Sequence, residues 1–237
     1  MTTTDRPSAI VLGAGPGVGA AVARAFAERG YRIGLVGRTP AGLEELAEAA
    51  RGAGGPVEWA AADVADPQAL TAAVEELCGR AGRLDVLHHN ASRYRPARSH
   101  DLTAQDLLDD LAVGAASLVT AVRAALPQLR EAGRRPGRAT VLATGGGSAD
   151  GPMAGAASLG VQKAALRNLV QAMAADLQPE GIHVATLTVR GTIADGTPFA
   201  AAEVARVLAG LAAESAGEPG GWRTVVDLTR NGPVDVR

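Results

Sequence analysis

Four glycines near the start of the chain have the spacing that points most directly to chemistry: Gly13, Gly15, Gly17 and Gly19. They follow an apolar run at residues 9–12 and precede an alanine-rich stretch in which Val18, Val22 and Phe26 recur at every fourth residue. A strand, a glycine turn and a helix in this order can hold a pyrophosphate, because glycine lets the backbone approach the ligand and the helix start offers free N–H groups. The pattern predicts a dinucleotide cradle formed by these glycines and Val18, and a glycine-rich turn without a ligand is the alternative.

Two charged residues are placed to bind the adenosine end of a dinucleotide. Arg38 follows the second apolar run, where an arginine accommodates the 2′-phosphate of NADP and an acidic residue would favour NAD. Asp63 follows the third run, where a carboxylate can accept a hydrogen bond from the adenine amino group. We therefore predict NADP(H) as the cofactor. The alternatives are a solvated surface arginine at position 38 and a helix cap at position 63, shortly before Pro67.

Lys163 is the only lysine in a chain that contains 22 arginines. It lies within a stripe of apolar residues at helical spacing: Leu159, Leu166, Val170, Met173 and Leu177. An inward-facing ammonium group is costly to bury unless it is paired. We therefore expect Lys163 to bind a ribose diol or a nearby carboxylate such as Asp150. The alternative is a lysine that extends along the edge of the stripe into solvent.

Apolar runs and helical patterns alternate along the chain and must position these residues. Strands are predicted at residues 9–12, 31–37, 57–61, 84–89, 137–144, 183–189 and 222–228. Helices are predicted from residue 18, at 40–51, from residue 67, and at 103–130, 154–177 and 201–214, with a flexible loop at 145–148. The alternation predicts a single α/β domain over residues 1–237, a doubly wound, Rossmann-like parallel sheet of about seven strands with helices on both faces. Ligands of such sheets bind beyond the carboxyl ends of the strands.

Composition and charge narrow the classes of function. The net charge of −2 gives no reason to expect a nucleic acid or an anionic membrane as a partner. The single cysteine, Cys78, excludes a disulfide framework and a multi-cysteine metal site, and we expect no metal. No apolar run reaches membrane-spanning length, and the first residues lack the pattern of a signal peptide. We expect a soluble cytoplasmic protein that acts on a small-molecule substrate.

These motifs together resemble the short-chain dehydrogenase/reductase family over nearly the whole chain. The spacing Gly13-x-x-x-Gly17-x-Gly19 is similar to the family's glycine motif, although Leu12 stands where threonine is usual. Other segments that match family motifs are Val36-Gly37-Arg38, Asp63-Val64, Asn90-Ala91-Ser92 and Gly181-Ile182-His183-Val184. The resemblance adds Val64, Asn90, Ala91 and Thr192 to the expected cofactor-binding residues. It also implies a homodimer or homotetramer that packs through the helices at residues 103–130 and 154–177.

Most of the catalytic residues of the family pattern are missing from this chain. The family's reductases use a tyrosine as general acid and base, a lysine four residues later, and an upstream serine that positions the substrate carbonyl. Lys163 fits the lysine, but Leu159 stands at the tyrosine position and Gly146 at the serine position. Leu111 also stands where an asparagine is usual.

Other polar side chains are candidates to replace the missing ones. We predict Lys163, Tyr94 and Ser148 as catalytic residues, since Tyr94 follows the Asn90-Ala91-Ser92 turn and Ser148 follows the fifth strand. Spacing does not choose among the further candidates, which are His88, His89, Thr144, Asp195 and Thr197. For the two histidines, a hydrogen-bonded structural role is the better expectation.

Three hypotheses for the function follow. The first is an atypical NADPH-dependent reductase of a small carbonyl or enone substrate. The second is a non-redox enzyme, such as an isomerase, dehydratase or cyclase, in the same pocket. The third is a catalytically silent binding subunit. The fold alone does not decide among them, because function depends on the site.

Overall fold

The computed structural model of this chain describes residues 6–134, 139–214 and 221–236. Within these ranges the strands are β1 (Ser8–Leu12), β2 (Arg32–Gly37), β3 (Val57–Ala61), β4 (Val86–His89), β5 (Ala139–Gly146), β6 (Ile182–Val189), β7 (Val225–Thr229) and β8 (Gly232–Asp235). The α-helices are α1 (Val18–Ala27), α2 (Pro40–Arg51), α3 (Pro67–Ala81), α4 (Ala104–Leu111), α5 (Ser117–Gly133), α6 (Ala157–Leu177) and α7 (Ala201–Glu214). A π-helical segment, Ala112–Ala116, joins α4 to α5.

The strands form one sheet in the order β3-β2-β1-β4-β5-β6-β7-β8. Every pairing is parallel except that of β7 with β8. The strand order reverses between β1 and β4, and ligands of doubly wound sheets bind at this point. We therefore look for the candidate site at the carboxyl ends of β1 and β4. The predicted doubly wound, Rossmann-like α/β fold is confirmed.

Side chains that alternate along each strand build two cores, one on each face of the sheet. On β1, Ile10 and Leu12 belong to the core that contains Leu118 and Leu166 from α5 and α6. Ala9 and Val11 belong to the other core, which contains Phe26 and Leu208 from α1 and α7. Both faces of the sheet are therefore covered, which explains why its central strands are continuous apolar runs.

The structure corrects several predicted boundaries. β5 continues to Gly146, so the predicted loop at 145–148 is strand followed by a short 3₁₀ turn, Gly147–Ala149. Residues 137 and 138, the start of the predicted fifth strand, lie outside the described residues. The predicted helix at 103–130 is interrupted by the π-helical segment.

β8 was not predicted. It follows a tight turn after β7 in which Gly232 adopts a φ of +102°. Pro233 makes this segment a poor strand by composition, but an edge position tolerates a residue without an N–H donor.

In the part of the chain that the structure covers, no helix has both the length and the apolar character needed to span a membrane.

Candidate functional site

The predicted glycine cradle forms the turn between β1 and α1. Gly13 has a φ of +75°, and a Cβ there would lie 2.7 Å from the backbone nitrogen of Ala91. A Cβ on Gly19 would lie 2.9 Å from the carbonyl oxygen of Gly13, so this glycine lets the helix approach the strand. At Gly15 and Gly17 a Cβ would meet nothing within 4 Å. Two glycines thus permit close packing, and two leave open space beside the start of α1.

Asn90 joins this turn to the end of β4. Its backbone N–H donates to the carbonyl oxygen of Leu12 at 2.9 Å, and its side-chain nitrogen donates to that of Gly13 at 3.1 Å. Asn90 therefore fixes the turn whose other residues face the cleft.

A first cavity of about 510 Å³ lies on one side of the glycine turn. It brings together more than half of the predicted cofactor-binding residues, including both predicted for the adenosine end: Gly13, Gly15, Arg38, Asp63, Val64, Asn90 and Ala91. Arg38 is exposed, and within the described ranges it forms no ion pair. Asp66, and not Asp63, caps α3 by accepting from the N–H groups of Gln68 and Ala69. Capping of α3 is therefore not the role of Asp63. Its carboxylate accepts a hydrogen bond from the Ala65 N–H at 2.9 Å.

A second cavity of about 770 Å³ adjoins the first and shares Gly15, Asn90 and Ser92 with it. It contains the remaining predicted residues: Gly17, Val18, Gly19, Ser148, Lys163 and Thr192. Apolar side chains complete its lining, among them Met153, Leu159 and Ile193. The two cavities form one cleft along the carboxyl edge of the sheet, and its two halves could hold the two ends of a dinucleotide.

Lys163 is only 7% exposed, which confirms that the residue faces inward. Its ammonium group donates to the backbone carbonyl oxygen of Thr144 at 2.8 Å. Burial lowers the pKa of Lys163 to about 8, because the charged form loses hydration. No ion pair of Lys163 occurs within the described residues.

The expected partner Asp150 is engaged elsewhere. Its carboxylate binds Arg167 at 2.6 Å and Arg190 at 2.6 Å, and Arg190 also binds Asp227 at 2.7 Å. These guanidinium groups hold the pKa of Asp150 below its usual value, Arg167 having the largest effect. The network ties Asp150, which follows the turn that carries Ser148, to α6, to the end of β6 and to the middle of β7.

The hydroxyl of Ser148 lies close to the position that the family pattern assigns to serine. A Cβ built on Gly146 would be 3.7 Å from the Ser148 Oγ and 3.8 Å from Cε of Lys163. Ser148 thus brings a hydroxyl to the same corner of the cleft from two residues further along the chain. Leu159 lines this corner and has no proton to donate.

The other polar candidates lie apart from Lys163 or are engaged in structural bonds. Tyr94 is 65% exposed and lines the first cavity, not the second. Asp195 lines a groove beside α1 and α7. The Thr197 hydroxyl donates to the carbonyl oxygen of Ala194 at 2.7 Å. The structure therefore brings Ser148, and not Tyr94, together with Lys163.

His88 and His89 are both fully buried and point to opposite faces of the sheet. His88 hydrogen-bonds the Thr144 hydroxyl at 2.9 Å, and His89 hydrogen-bonds the Ser117 hydroxyl at 2.7 Å. Burial, reinforced by the charge of Lys163, lowers the pKa of each imidazole to about 3. Both rings are neutral near pH 7 and fit the structural role expected from the sequence.

The buried histidines give a prediction for acid stability. The unfolded chain protonates each ring near its usual pKa of 6.5, whereas the folded chain does so only near pH 3. The free energy of unfolding should therefore fall as the pH drops below about 6, by about 1.4 kcal/mol per pH unit for each ring. We expect His89→Asn to make this slope shallower by that amount in urea titrations between about pH 6 and 4. His100→Asn, whose side chain is 69% exposed, is the matched control. Equal slopes in the wild type and His89→Asn would contradict the prediction.

Within the described residues, no group of three or more histidine, cysteine or acidic side chains is placed to hold a metal ion.

Comparison with known proteins agrees with this geometry. A family model described as short chain dehydrogenase matches residues 7–203. An uncharacterized oxidoreductase of Mycobacterium tuberculosis is 33% identical over 181 residues, which cover 76% of this chain and 67% of that protein. The D-threitol dehydrogenase of Mycolicibacterium smegmatis is 35% identical over 129 residues, which cover 54% of this chain and 50% of that enzyme. The aligned part thus amounts to between half and about two thirds of these relatives.

Solved structures share the fold along nearly the whole chain. A Serratia marcescens short-chain dehydrogenase/reductase, solved as a doubly substituted mutant, has a TM-score of 0.80 at 28% identity, covering 95% of this chain and 98% of that one. A metagenomic short-chain oxidoreductase in complex with NADP has a TM-score of 0.82, covering 95% and 97%. At 23% identity, this second likeness concerns the fold alone.

Proposed function

This chain belongs to the short-chain dehydrogenase/reductase family, and from that premise we propose that it is an NADP(H)-dependent reductase of a small carbonyl or enone substrate with an atypical proton-donating site. The family uses NAD or NADP and typically acts on small molecules. The observation that carries the proposal is the continuous cleft. At one end lies Arg38, which has no ion-pair partner among the described residues, and at the other a buried ammonium group beside a hydroxyl.

The residues of the cleft fit a dinucleotide. Open space at Gly15 and Gly17 faces the start of α1, where backbone N–H groups and the helix dipole favour a pyrophosphate. Arg38 would bind a 2′-phosphate, and Asp63 with Val64 would contact the adenine. Asn90, Ala91 and Thr192 complete the proposed binding set.

Lys163 and Ser148 would act at the reacting end. NADPH, when bound, supplies a hydride. The Lys163 ammonium would hold the ribose hydroxyls and add positive charge where negative charge develops on the substrate oxygen. Ser148 would donate a hydrogen bond to that oxygen and orient it. The substrate oxygen would then take its proton from the Ser148 hydroxyl or from a water molecule in the cleft, where a typical family member uses a tyrosine.

The test of this function is a panel of small ketones, aldehydes and enones incubated with the protein and NADPH. We expect substrate-dependent loss of the near-ultraviolet absorbance of NADPH, with product formed in equal amount. Product formed while NADPH stays intact would instead support a non-redox enzyme. Tight binding of NADPH without turnover on the whole panel would support a silent binding subunit.

Arg38 gives a prediction for cofactor preference. Arg38→Asp should weaken NADPH binding by about 10- to 100-fold, because a charge-assisted pair with the 2′-phosphate becomes a repulsion. The affinity for NADH, which lacks that phosphate, should change little or rise. Calorimetric titration of both dinucleotides measures the two effects, with the exposed Arg29 replaced by Asp as the control. An unchanged ratio of the two affinities would contradict the role of Arg38.

We also propose that the chain forms a homodimer or homotetramer through α4, α5 and α6. Family members are typically oligomeric, and apolar Leu108 on α4 and Val161 on α6 are 59% and 42% exposed. Light scattering should give a mass two or four times that of the chain, and a monomer would contradict the proposal.

A further inference from the structure

The segment that follows Asn90 lies between the two halves of the cleft. Ser92 lines both cavities, and Arg93 lines the first together with Gly13, Gly15 and Arg38. Among the residues that the structure describes, Asp63 is the only acidic one that lines this first cavity. A phosphate group in this half of the cleft would thus meet more positive than negative charge.

The backbone of Arg93 is held by one side chain of α6. The N–H of Arg93 donates to Oε1 of Gln162 at 3.0 Å, and Nε2 of Gln162 donates to the carbonyl oxygen of Arg93 at 2.9 Å. Gln162 is fully buried and directly precedes Lys163. One amide therefore satisfies both backbone groups of Arg93 and connects this segment to the helix that carries the buried lysine.

The π-helical segment makes room for this amide. A Cβ on Gly114 would lie 2.3 Å from Oε1 of Gln162 and 2.8 Å from its Cβ. Only glycine lets the segment Ala112–Ala116 pass so close to Gln162. Single π-helical turns inside helices are frequent at functional sites.

The side chain of Arg93 remains available for a ligand. Asp110 is fully buried, and its two oxygens accept from Arg95 at 2.9 and 3.0 Å. Arg95 is accordingly the main cause that keeps the pKa of Asp110 low. The guanidinium group of Arg93 forms a longer ion pair with the same carboxylate, at 3.7 Å and without a hydrogen bond, and its side chain is 35% exposed. Arg95 also pairs with Asp106 at 2.7 Å. Arg93 is thus ion-paired with Asp110, but within the described residues its guanidinium group makes no hydrogen bond, so its N–H donors can bind a ligand in the first cavity.

We propose that Arg93 binds phosphate oxygens of the dinucleotide and that Gln162 is the residue that positions it. The inference rests on the proposed function, since it takes the cleft to hold NADP(H). A guanidinium group matches two phosphate oxygens at once. The phosphate could be the pyrophosphate, which NADPH and NADH share, or the 2′-phosphate, which only NADPH has.

Calorimetric titration of NADPH and NADH into wild type and Arg93→Ala tests the role of Arg93. We expect Arg93→Ala to weaken binding by about 10- to 100-fold. An equal loss for both dinucleotides identifies the pyrophosphate, and a loss for NADPH alone identifies the 2′-phosphate. Arg98→Ala is the matched control, because Arg98 is on the same loop but is 75% exposed and lines a different cavity. Affinities in Arg93→Ala equal to those of wild type would overturn the proposal.

A double-mutant cycle tests the positioning role of Gln162. We expect Gln162→Ala to weaken dinucleotide binding in the wild-type background and to have little further effect in Arg93→Ala. Losses that multiply would mean that Gln162 affects binding independently of Arg93 and would overturn its positioning role. If Gln162→Ala does not fold, Gln162→Glu takes its place, since it keeps the shape but cannot donate to the Arg93 carbonyl. Binding of neither dinucleotide to wild type would reject the proposed function together with this inference, whereas wild-type binding that ignores Arg93 rejects the inference alone.

Discussion

Replacing Lys163 with methionine should lower kcat/KM by about 100-fold or more for any substrate that supports turnover. The ammonium group is the only lysine charge in the chain, and it lies in the cleft beside Ser148. Methionine has a similar length and fills the same apolar stripe, so the packing of α6 should survive. Steady-state kinetics with NADPH would measure the loss, and Arg123→Met, an exposed arginine on α5, is the control for a lost cation.

The same substitution should make the protein more stable. Burial lowers the pKa of Lys163 to about 8, whereas the unfolded chain binds this proton up to its usual pKa of 10.5. The charged lysine therefore costs stability below about pH 8, and the cost disappears as the pH rises towards 10. We expect Lys163→Met to raise the free energy of unfolding by about 1–2 kcal/mol at pH 7 after the lost bond to Thr144 is counted. A variant that keeps wild-type activity, or that is less stable at pH 7, would contradict this account of Lys163.

Introducing tyrosine at position 159 should raise the activity, in contrast to the loss expected for Lys163→Met. Residues 159 and 163 are one helical turn apart on α6, and Leu159 lines the cleft, so a phenol there would face the same corner as Ser148. The nearby ammonium group would lower the pKa of the phenol. Because general acid catalysis typically contributes about 10²- to 10⁴-fold, we expect Leu159→Tyr to raise kcat/KM for simple ketones by about 100-fold.

Leu159→Phe is the matched control, since it adds the ring without the hydroxyl. A gain shared by both variants would indicate better packing of the substrate. The proton-donor argument fails if Leu159→Tyr is no faster than Leu159→Phe. In that case, Ser148 or water already supplies the proton fast enough.

Much of the fold follows from local patterns in the sequence. The predicted strand at 57–61 and the helices at 40–51 and 201–214 have the observed bounds, because turn signals and a regular apolar period mark both ends. β8 was not predicted because it is only four residues long and contains Pro233. The π-helical segment was not predicted because no local pattern signals it; its Gly114 lies close to Gln162, which is distant in sequence.

The candidate site was predictable in its residues but less so in its contacts. The glycine turn, Arg38 and Lys163 were found because each lies next to a strand end or within a helical stripe. The hydrogen-bond partner of Lys163 was not predicted correctly. The expected Asp150 is bound by two arginines that are distant in sequence, and Lys163 donates instead to a backbone carbonyl oxygen. The bond between Gln162 and Arg93 joins residues 69 positions apart, and no local pattern signals it.

The most direct measurement of the proposed reaction follows deuterium from labelled NADPH into the product of the wild-type protein. NADPH with deuterium at both positions of the reactive nicotinamide carbon is incubated with a carbonyl or enone substrate, and the product is analysed by mass spectrometry. A reductase that uses this cleft predicts one deuterium per product molecule, with the labelled product lost in Lys163→Met. Product that contains no deuterium while NADPH remains unconsumed would contradict the proposed function.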